Sequence, residues 1–369
     1  MVGMLKTTVD LNAIAHNVAR VKEAVAPARL MCVVKADAYG HGIERCAPVM
    51  AKAGADAFGV ATLAEAVALR KVIDTLPIAA WLWEPTEDLA PALAAGIQIG
   101  IPSLAHAQAL IAATDAPTEV FVMVETGMHR SGVDKHAWEE TFRLLADAPH
   151  ITVLGLMSHF ACADEPEHPH NDHQESEFRQ ALALARELRL ECPLNHLANS
   201  PAALTRPSAR FEQVRVGLVL YGLEPVAGHD HELKPAMTWE ASVVAVKPIS
   251  AGESTCYGLT WTADSDRQLA TVSVGYADGL PRAFQGALQV GIGGELYPQV
   301  GRVCMDQIVV DLGANPHGVR AGETAVIFGR GGMSATELAE AAGTINYEVL
   351  CRPTGRTERT YREGASDAQ

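Results

Sequence analysis

Eight short apolar runs in the first two thirds of the chain limit its fold more than any other feature. They read LMCVVKA (30–36), AFGVAT (57–62), IAAWLWE (78–84), IQIGIPS (97–103), EVFVMVE (119–125), ITVLGLMSHF (151–160), LNHLAN (194–199) and VRVGLVLYG (214–222). Ala-rich stretches of helical period separate them, and LNAIAHNVARVKEAVA, from residue 11, is the first. Strands that are apolar nearly throughout are covered on both faces, as in a parallel sheet flanked by helices. Eight such units are what a closed barrel needs, and a doubly wound open sheet is the alternative. After about residue 237 the texture changes: WEASVVAVKPISAGESTCYG, QLATVSVGYADG and ETAVIFGR alternate short β-branched runs with glycine turns. The expected architecture is α/β, a (β/α)8 TIM-like barrel over 1–236 followed by a mainly β domain over 237–369.

Charge and composition then exclude several classes. A formal net charge of −15 opposes general nucleic-acid binding, which relies on clustered Lys and Arg. No run approaches the roughly 18 apolar residues of a membrane span. The opening MVGMLKTTVDLNAIAHNVAR has no sustained apolar segment, so a cytoplasmic protein without a secretory signal is expected. The seven cysteines are odd in number, scattered and never in a C-x-x-C pair, which suggests reduced thiols. DEPEHPHNDH (164–173) gathers His168, His170 and His173 in a Pro-rich loop without metal-ligand spacing, so no metal is expected. GIGGE and GRGGMS sit among β-hairpins and read as turns.

Barrels of this kind do their chemistry at the carboxyl ends of the strands. Polar residues converge there: Lys35 on the first, Glu125 and Arg130 after the fifth, His159 on the sixth, His196, Asn199 and Ser200 on the seventh, Arg215 and Gly217 on the eighth. This set suits an anionic ligand. A lysine desolvated in a barrel mouth becomes a good amine nucleophile for a Schiff base. Tyr39, the NSP of the seventh run and the VGL of the eighth offer hydroxyl and amide groups for a phosphate. Together they point to pyridoxal phosphate.

With those residues in view, the sequence resembles the alanine racemases. VVKADAYGHG, ETGMHRSG, GLMSHFACAD, NHLANS, RVGLVLYGLEP, GESTCYG, VGYADGLPR, GRVCMDQ and INYEVLC run from end to end in that family's order. The resemblance makes Lys35 the lysine that forms the aldimine with pyridoxal 5'-phosphate. It places Tyr39, Asn199, Ser200, Gly217, Leu218 and Tyr347 around the cofactor and its phosphate, and sets Arg215 against the pyridine nitrogen. Arg130 would stand by the cofactor's phenolic oxygen and the substrate carboxylate. His159 would connect Arg215 to a second catalytic base, Tyr257. In the family that tyrosine reaches the neighbouring subunit's barrel in a head-to-tail homodimer, with Tyr276, Arg302, Met305 and Asp306 beside it. Tyr276 and Met305 would then line the substrate space.

Two opposed bases suit racemisation, since the α proton leaves one face and returns on the other. Arg215 also bears on which reaction follows. A guanidinium with a pKa above ~12 does not readily protonate the pyridine, and a weak electron sink favours prompt reprotonation. Decarboxylases on the same scaffold place an acidic residue there. A broader amino-acid racemase, accepting serine or others, and a non-catalytic cofactor carrier are further alternatives, though the carriers lack the β domain and its tyrosine. The fifth run departs from the family: Met123 occupies the place of a lysine, often carbamylated, that braces the arginine. Glu125 shares its strand face and is the candidate substitute, while core packing is the simpler role for Met123.

Overall fold

The computed structural model describes residues 3–363. Two compact units emerge, one from residues 13–38 and 42–234 and one from 3–12, 39–41 and 235–363.

The chain begins with strand β1 (Leu5–Asp10), in which Leu5, Thr7 and Val9 are buried and the residues between them are not. That period of two marks a strand with one covered face. Residues 3–12, expected in the barrel, instead belong to the β-rich unit, because β1 pairs antiparallel with β9 (Met237–Ile249) and parallel with β17 (Glu358–Arg362). Helix α1 (Leu11–Val25) follows, over the stretch whose period predicted it.

The barrel unit contains β2 (Arg29–Val33), β3 (Ala57–Thr62), β4 (Ile78–Leu82), β5 (Gln98–Ile101), β6 (Thr118–Met123), β7 (Ile151–Met157) and β8 (Gln213–Val216). They form one parallel sheet in the order β7-β6-β5-β4-β3-β2-β8. Helices α2 (Ile43–Lys52), α3 (Leu63–Arg70), α4 (Ala90–Ala94), α5 (Leu104–Ala113), α6 (Trp138–Ala146), α7 (His170–Glu187) and α8 (Ser200–Thr205) lie between the strands in sequence. The seventh run, residues 194–199, closes the ring between β7 and β8. On one side Leu194 N and His196 N donate to Leu154 O and Leu156 O at 2.8 and 3.0 Å. On the other, Gln213 N and Arg215 N donate to Asn195 O and Ala198 O at 3.2 and 2.9 Å. The ladder is irregular because the Asn195 side chain takes the Leu156 N–H at 3.0 Å. All eight runs therefore serve as barrel strands.

Inside the barrel, Met31, Ala57, Ala79, Phe121 and Met157 form a core against which Trp81, Met123 and Leu154 pack. Trp81 occupies space left by two glycines. A Cβ on Gly59 would meet its ring at 2.8 Å, and one on Gly100 would meet the Trp81 Cβ at 2.7 Å and Cα at 2.9 Å. The second contact is with main chain, which cannot rotate away. Gly100→Ala is expected to destabilise the protein by about 1–3 kcal/mol, seen as a lower thermal midpoint. An unchanged midpoint would show that the barrel relaxes freely here.

The β-rich unit adds β10 (Ser254–Thr255), β11 (Trp261–Thr262), β12 (Arg267–Val272), β13 (Gln289–Ile292), β14 (Glu295–Val300), β15 (Ile308–Asp311) and β16 (Thr324–Phe328). Its main sheet runs β12-β15-β14-β13-β16-β9-β1-β17, and the long β9 also pairs with β12. Six strands thus close on themselves, leaving β1 and β17 as an extension. Helix α9 (Ala335–Ala342) is capped by Ser334 and Glu337, and α10 (Asn346–Leu350) carries Tyr347.

Candidate active site

Lys35 immediately follows β2, at the mouth where the sequence placed it, and is partly buried. The backbone then does something unusual: Ala36, Asp37, Ala38 and Tyr39 hold φ of 51°, 54°, 56° and 53°. Left-handed conformation costs an L-residue roughly 1–2 kcal/mol, and four in succession need external support. Ala38 N donates to Val34 O and Gly42 N to Asp37 O, both at 2.9 Å. Asp37 Oδ1 accepts from Ile43 N at 2.7 Å, and Glu65 Oε1 accepts from Ala36 N at 2.7 Å. The last of these comes from α3, one strand away.

Arg215, at 6% exposure, organises the other side of the mouth. Its Nη2 donates to Ser158 O at 2.6 Å and to His159 Nδ1 at 3.1 Å, and its Nη1 to His196 Nδ1 and His196 O, each at 3.1 Å. Arginine only donates, so each histidine accepts at Nδ1 and its neutral ring carries the proton on Nε2. Burial, and then the cations Arg215, Arg130 and Lys35, hold His159 well below the ordinary histidine range. Burial and Arg215 do the same to His196. Both rings are therefore neutral at pH 7. Burial, with Arg130 nearby, brings Arg215 down to about 10, which still leaves it a cation at neutral pH. The mouth is thus electropositive in a chain whose net charge is −15.

The phosphate-type groups follow on the last two barrel strands. Asn199 accepts from Ala202 N at 3.3 Å and caps α8, so its side chain is occupied locally. Ser200, the first residue of α8, is buried and accepts from Gly217 N at 3.0 Å. Its own hydroxyl hydrogen has no acceptor among the described residues and is available to an anion. Leu218 opens the short helical turn 218–221 and is buried, and the Tyr221 hydroxyl donates to Val33 O at 3.1 Å.

Arg130 sits on the loop after β6. Val133 N donates to Met123 O at 2.7 Å and Glu125 N to Val133 O at 3.0 Å, pinching the neck of that loop. Glu125 turns its carboxylate onto Gly127 N and makes no ion pair with Arg130. Arg130 is exposed and has no side-chain hydrogen bond or ion pair among the described residues. Met123 packs against the barrel core, the simpler of its two expected roles. The loop is anchored instead by Gln174, whose amide donates to His159 O at 2.9 Å and Thr126 Oγ1 at 3.3 Å. The Thr126 and Ser158 hydroxyls pair at 2.8 Å, and His170 Nε2 lies 2.8 Å from Gly127 O.

In the β-rich unit Tyr39 and Tyr347 are neighbours, with ring centroids 6.3 Å apart. Burial, then Tyr347 and Cys351, push the Tyr39 phenol above its ordinary value. Tyr257 is 71% and Met305 51% exposed. Cys256, just before Tyr257, holds φ 62° and ψ 178°, a region normally left to glycine, so the tyrosine hangs from a strained link. Tyr257, Tyr276, Arg282, Arg302 and Val303 line an open groove of about 360 Å³. Tyr276 N and Ala277 N donate to Cys304 O and Met305 O, both at 3.0 Å, tying Tyr276 to Met305. Asp306 pairs with Arg356 at 2.8 Å.

No group of three metal-ligating side chains occurs among the described residues, and no disulfide joins the seven cysteines. No described helix is long and apolar enough to cross a membrane.

The alanine racemase N-terminal domain model matches residues 9–225, and the C-terminal domain model matches residues 236–361. The chain belongs to the alanine racemase family. An alanine racemase of Corynebacterium efficiens is 57% identical over 361 residues, covering 97% of this chain and 98% of that one. Among solved structures, the alanine racemase of Corynebacterium glutamicum superposes with a TM-score of 0.91 at 54% identity, covering 98% of this chain and 100% of that one. An alanine racemase from Bacillus anthracis with bound L-Ala-P aligns at 31% identity and a TM-score of 0.90, covering 100% of this chain and 97% of that one.

Sequence reasoning in terms of the alanine racemase family found Lys35, His159 and Arg215 but assigned no task to His196, Gln174 or Glu65. For Glu65 a signal existed. TLAE at 62–65 is a capping-box pattern, with Thr62 accepting from Glu65 N at 3.2 Å. For His196 and Gln174 there was none, because their partners lie 19 and 15 residues away and are set by strand register.

Proposed function

We propose that this chain interconverts L- and D-alanine with pyridoxal 5'-phosphate as cofactor, Lys35 and Tyr257 serving as the two bases, and so supplies D-alanine for peptidoglycan. The observation that carries the reading is Arg215, a buried guanidinium hydrogen-bonded to two neutral histidines in the mouth that holds Lys35. The donor set fits the cofactor: an amine for covalent attachment, a buried hydroxyl at Ser200 that Gly217 N positions and whose own hydrogen is unspent, and the Leu218 backbone for a phosphate. When bound, pyridoxal phosphate acidifies the substrate's α hydrogen by withdrawing electrons from that carbon.

The remaining steps fall to the protein. Lys35 would anchor the cofactor and, once displaced by substrate, hold or take the α proton on one face. Arg215 cannot lend a proton to the ring nitrogen, because its charge is locked in by four hydrogen bonds to Ser158 O, His159 and His196. That limits electron withdrawal and favours prompt return of the proton over decarboxylation. His159, accepting from Arg215 at Nδ1, presents its Nε2–H outward and would pass positive charge toward the second base. Arg130, exposed and without an ion pair among the described residues, would receive the substrate carboxylate. Asn199 would contribute through the cap that positions Ser200. Tyr39 and Tyr347 carry phenols suited to phosphate.

Tyr257 is exposed in its own chain, beside Tyr276 and Met305. We therefore propose a head-to-tail homodimer in which this groove completes the partner's site. Specific activity should fall on dilution along with the dimer fraction in sedimentation, and a fully active monomer would refute the shared site. The reaction itself is tested by solvent deuterium exchange into L- and D-alanine, with serine and lysine in parallel. Exchange into both alanine enantiomers supports the reading, and exchange into neither overturns it. Seven cysteines with no disulfide among them suit a reducing cytoplasm, where we place the enzyme.

A further inference from the structure

Glu65 has been assigned no part in the reaction, yet its carboxylate spans the ends of two barrel strands. Its Oε2 accepts from Ala61 N and Thr62 N, each at 3.0 Å, and its own N–H donates to Thr62 Oγ1 at 3.2 Å. That is a capping box at the start of α3, and it uses one carboxylate oxygen. The other, Oε1, accepts from Ala36 N at 2.7 Å, and Ala36 is the residue after Lys35.

We propose that Glu65 is a positioning residue for Lys35, holding the entry of the left-handed turn that fixes where the lysine side chain starts. The proposal rests on Lys35 being the cofactor lysine, as argued above. Ala36 is the first of four consecutive residues at positive φ, all lacking glycine's freedom. The bond from Ala38 N to Val34 O spans Ala36 and that from Gly42 N to Asp37 O closes the far end, and neither uses the Ala36 N–H. The exit is held by Asp37 through Ile43 N. The Ala36 N–H at the entry is held by Glu65, from the first turn of α3. If that hold is lost, the turn can relax toward extended backbone, and the lysine Cα–Cβ direction rotates with it.

A carboxylate suits the task because three N–H groups approach it from two sides. An amide offers one oxygen and one NH2, so one side would meet donor against donor. Glu65→Gln therefore breaks one contact at nearly constant size. Thr62→Val serves as the contrast: it removes the acceptor for Glu65 N while leaving Oε1 on Ala36.

The test compares the parent holoenzyme with E65Q, E65A and T62V. Three quantities are read: amide hydrogen exchange over residues 36–42, the rate at which Lys35 acquires cofactor (borohydride trapping and peptide mass), and kcat and KM for alanine. E65Q and E65A are expected to exchange at 36–38 about tenfold faster or more. Their Lys35 loading and kcat should fall about 10–100-fold with KM nearly constant. T62V should loosen the amides at the start of α3 and leave Lys35 loading at the parent rate. The nearly isosteric E65Q carries the test if E65A fails to fold. Parent-like loading and exchange in E65Q would overturn the clamp, as would T62V reproducing the E65Q losses, since Glu65 would then be only a cap. A parent that loads no cofactor on Lys35 would refute the functional reading itself, and the proposal with it.

Discussion

Lys35→Ala is expected to lower alanine racemisation by about 10⁴-fold or more, because in the proposed mechanism one side chain is both covalent anchor and base. The loss should not come from misfolding. Lys35 lies after β2, beyond the last strand residue Val33, and the barrel core of Met31, Ala57, Ala79, Phe121 and Met157 does not include it. The thermal midpoint of the apoprotein should therefore move little while activity vanishes. The check is a pair of measurements on one preparation, turnover and thermal midpoint. Appreciable racemisation by the alanine variant would remove Lys35 from the chemistry.

Tyr257→Phe is expected to lower racemisation by about 10²–10⁴-fold, the range of a positioned acid or base. Its sharper signature is asymmetry. Overall rates in the two directions are tied together by the equilibrium between enantiomers, so the informative quantity is α-proton exchange with solvent deuterium for each enantiomer alone. The phenylalanine variant should lose exchange with one enantiomer and keep it with the other, and weakening Lys35 should affect the opposite one. Equal losses would count against two opposed bases. The phenol is 71% exposed and its removal vacates no core, so stability should stay near that of the parent.

The fold was legible because its strands carry their own signal. A buried parallel strand is apolar at nearly every position, so all eight runs stood out, and the glycine-punctuated β texture after residue 237 did too. What escaped was whatever depends on a distant partner. LKTTVD is six residues with a plain alternation, and only pairing with β9 and β17, more than 220 residues away, places it in the β-rich unit. LNHLAN was found as a strand, but its irregular ladder comes from the Asn195 side chain taking a main-chain donor. In the site, Lys35 and Arg215 were visible as charges ending apolar runs. His196 was visible only as a strand-end histidine, and its duty toward Arg215 follows from register between 194–199 and β8. The fifth strand shows both outcomes. Met123 was recognised as a departure and packs in the core, whereas Glu125, its candidate substitute, turns back on Gly127.

The pairing of β1 with β17 has a consequence for how the polypeptide is made. Lys6 lies in register with Glu358 and Asp10 with Arg362, so β1 leaves the ribosome long before its partner β17 exists. The barrel unit ends at residue 234, and domains generally fold as units during synthesis, so it is complete well before β17 is made. The opening segment, with its alternating apolar face, has to remain unmated until then, first meeting β9 and finally β17. Loss of β17 would leave β1 with β9 alone and one of its two edges unmade. An error made late in translation, within 358–362, would thus be exposed at β1, more than 340 residues earlier.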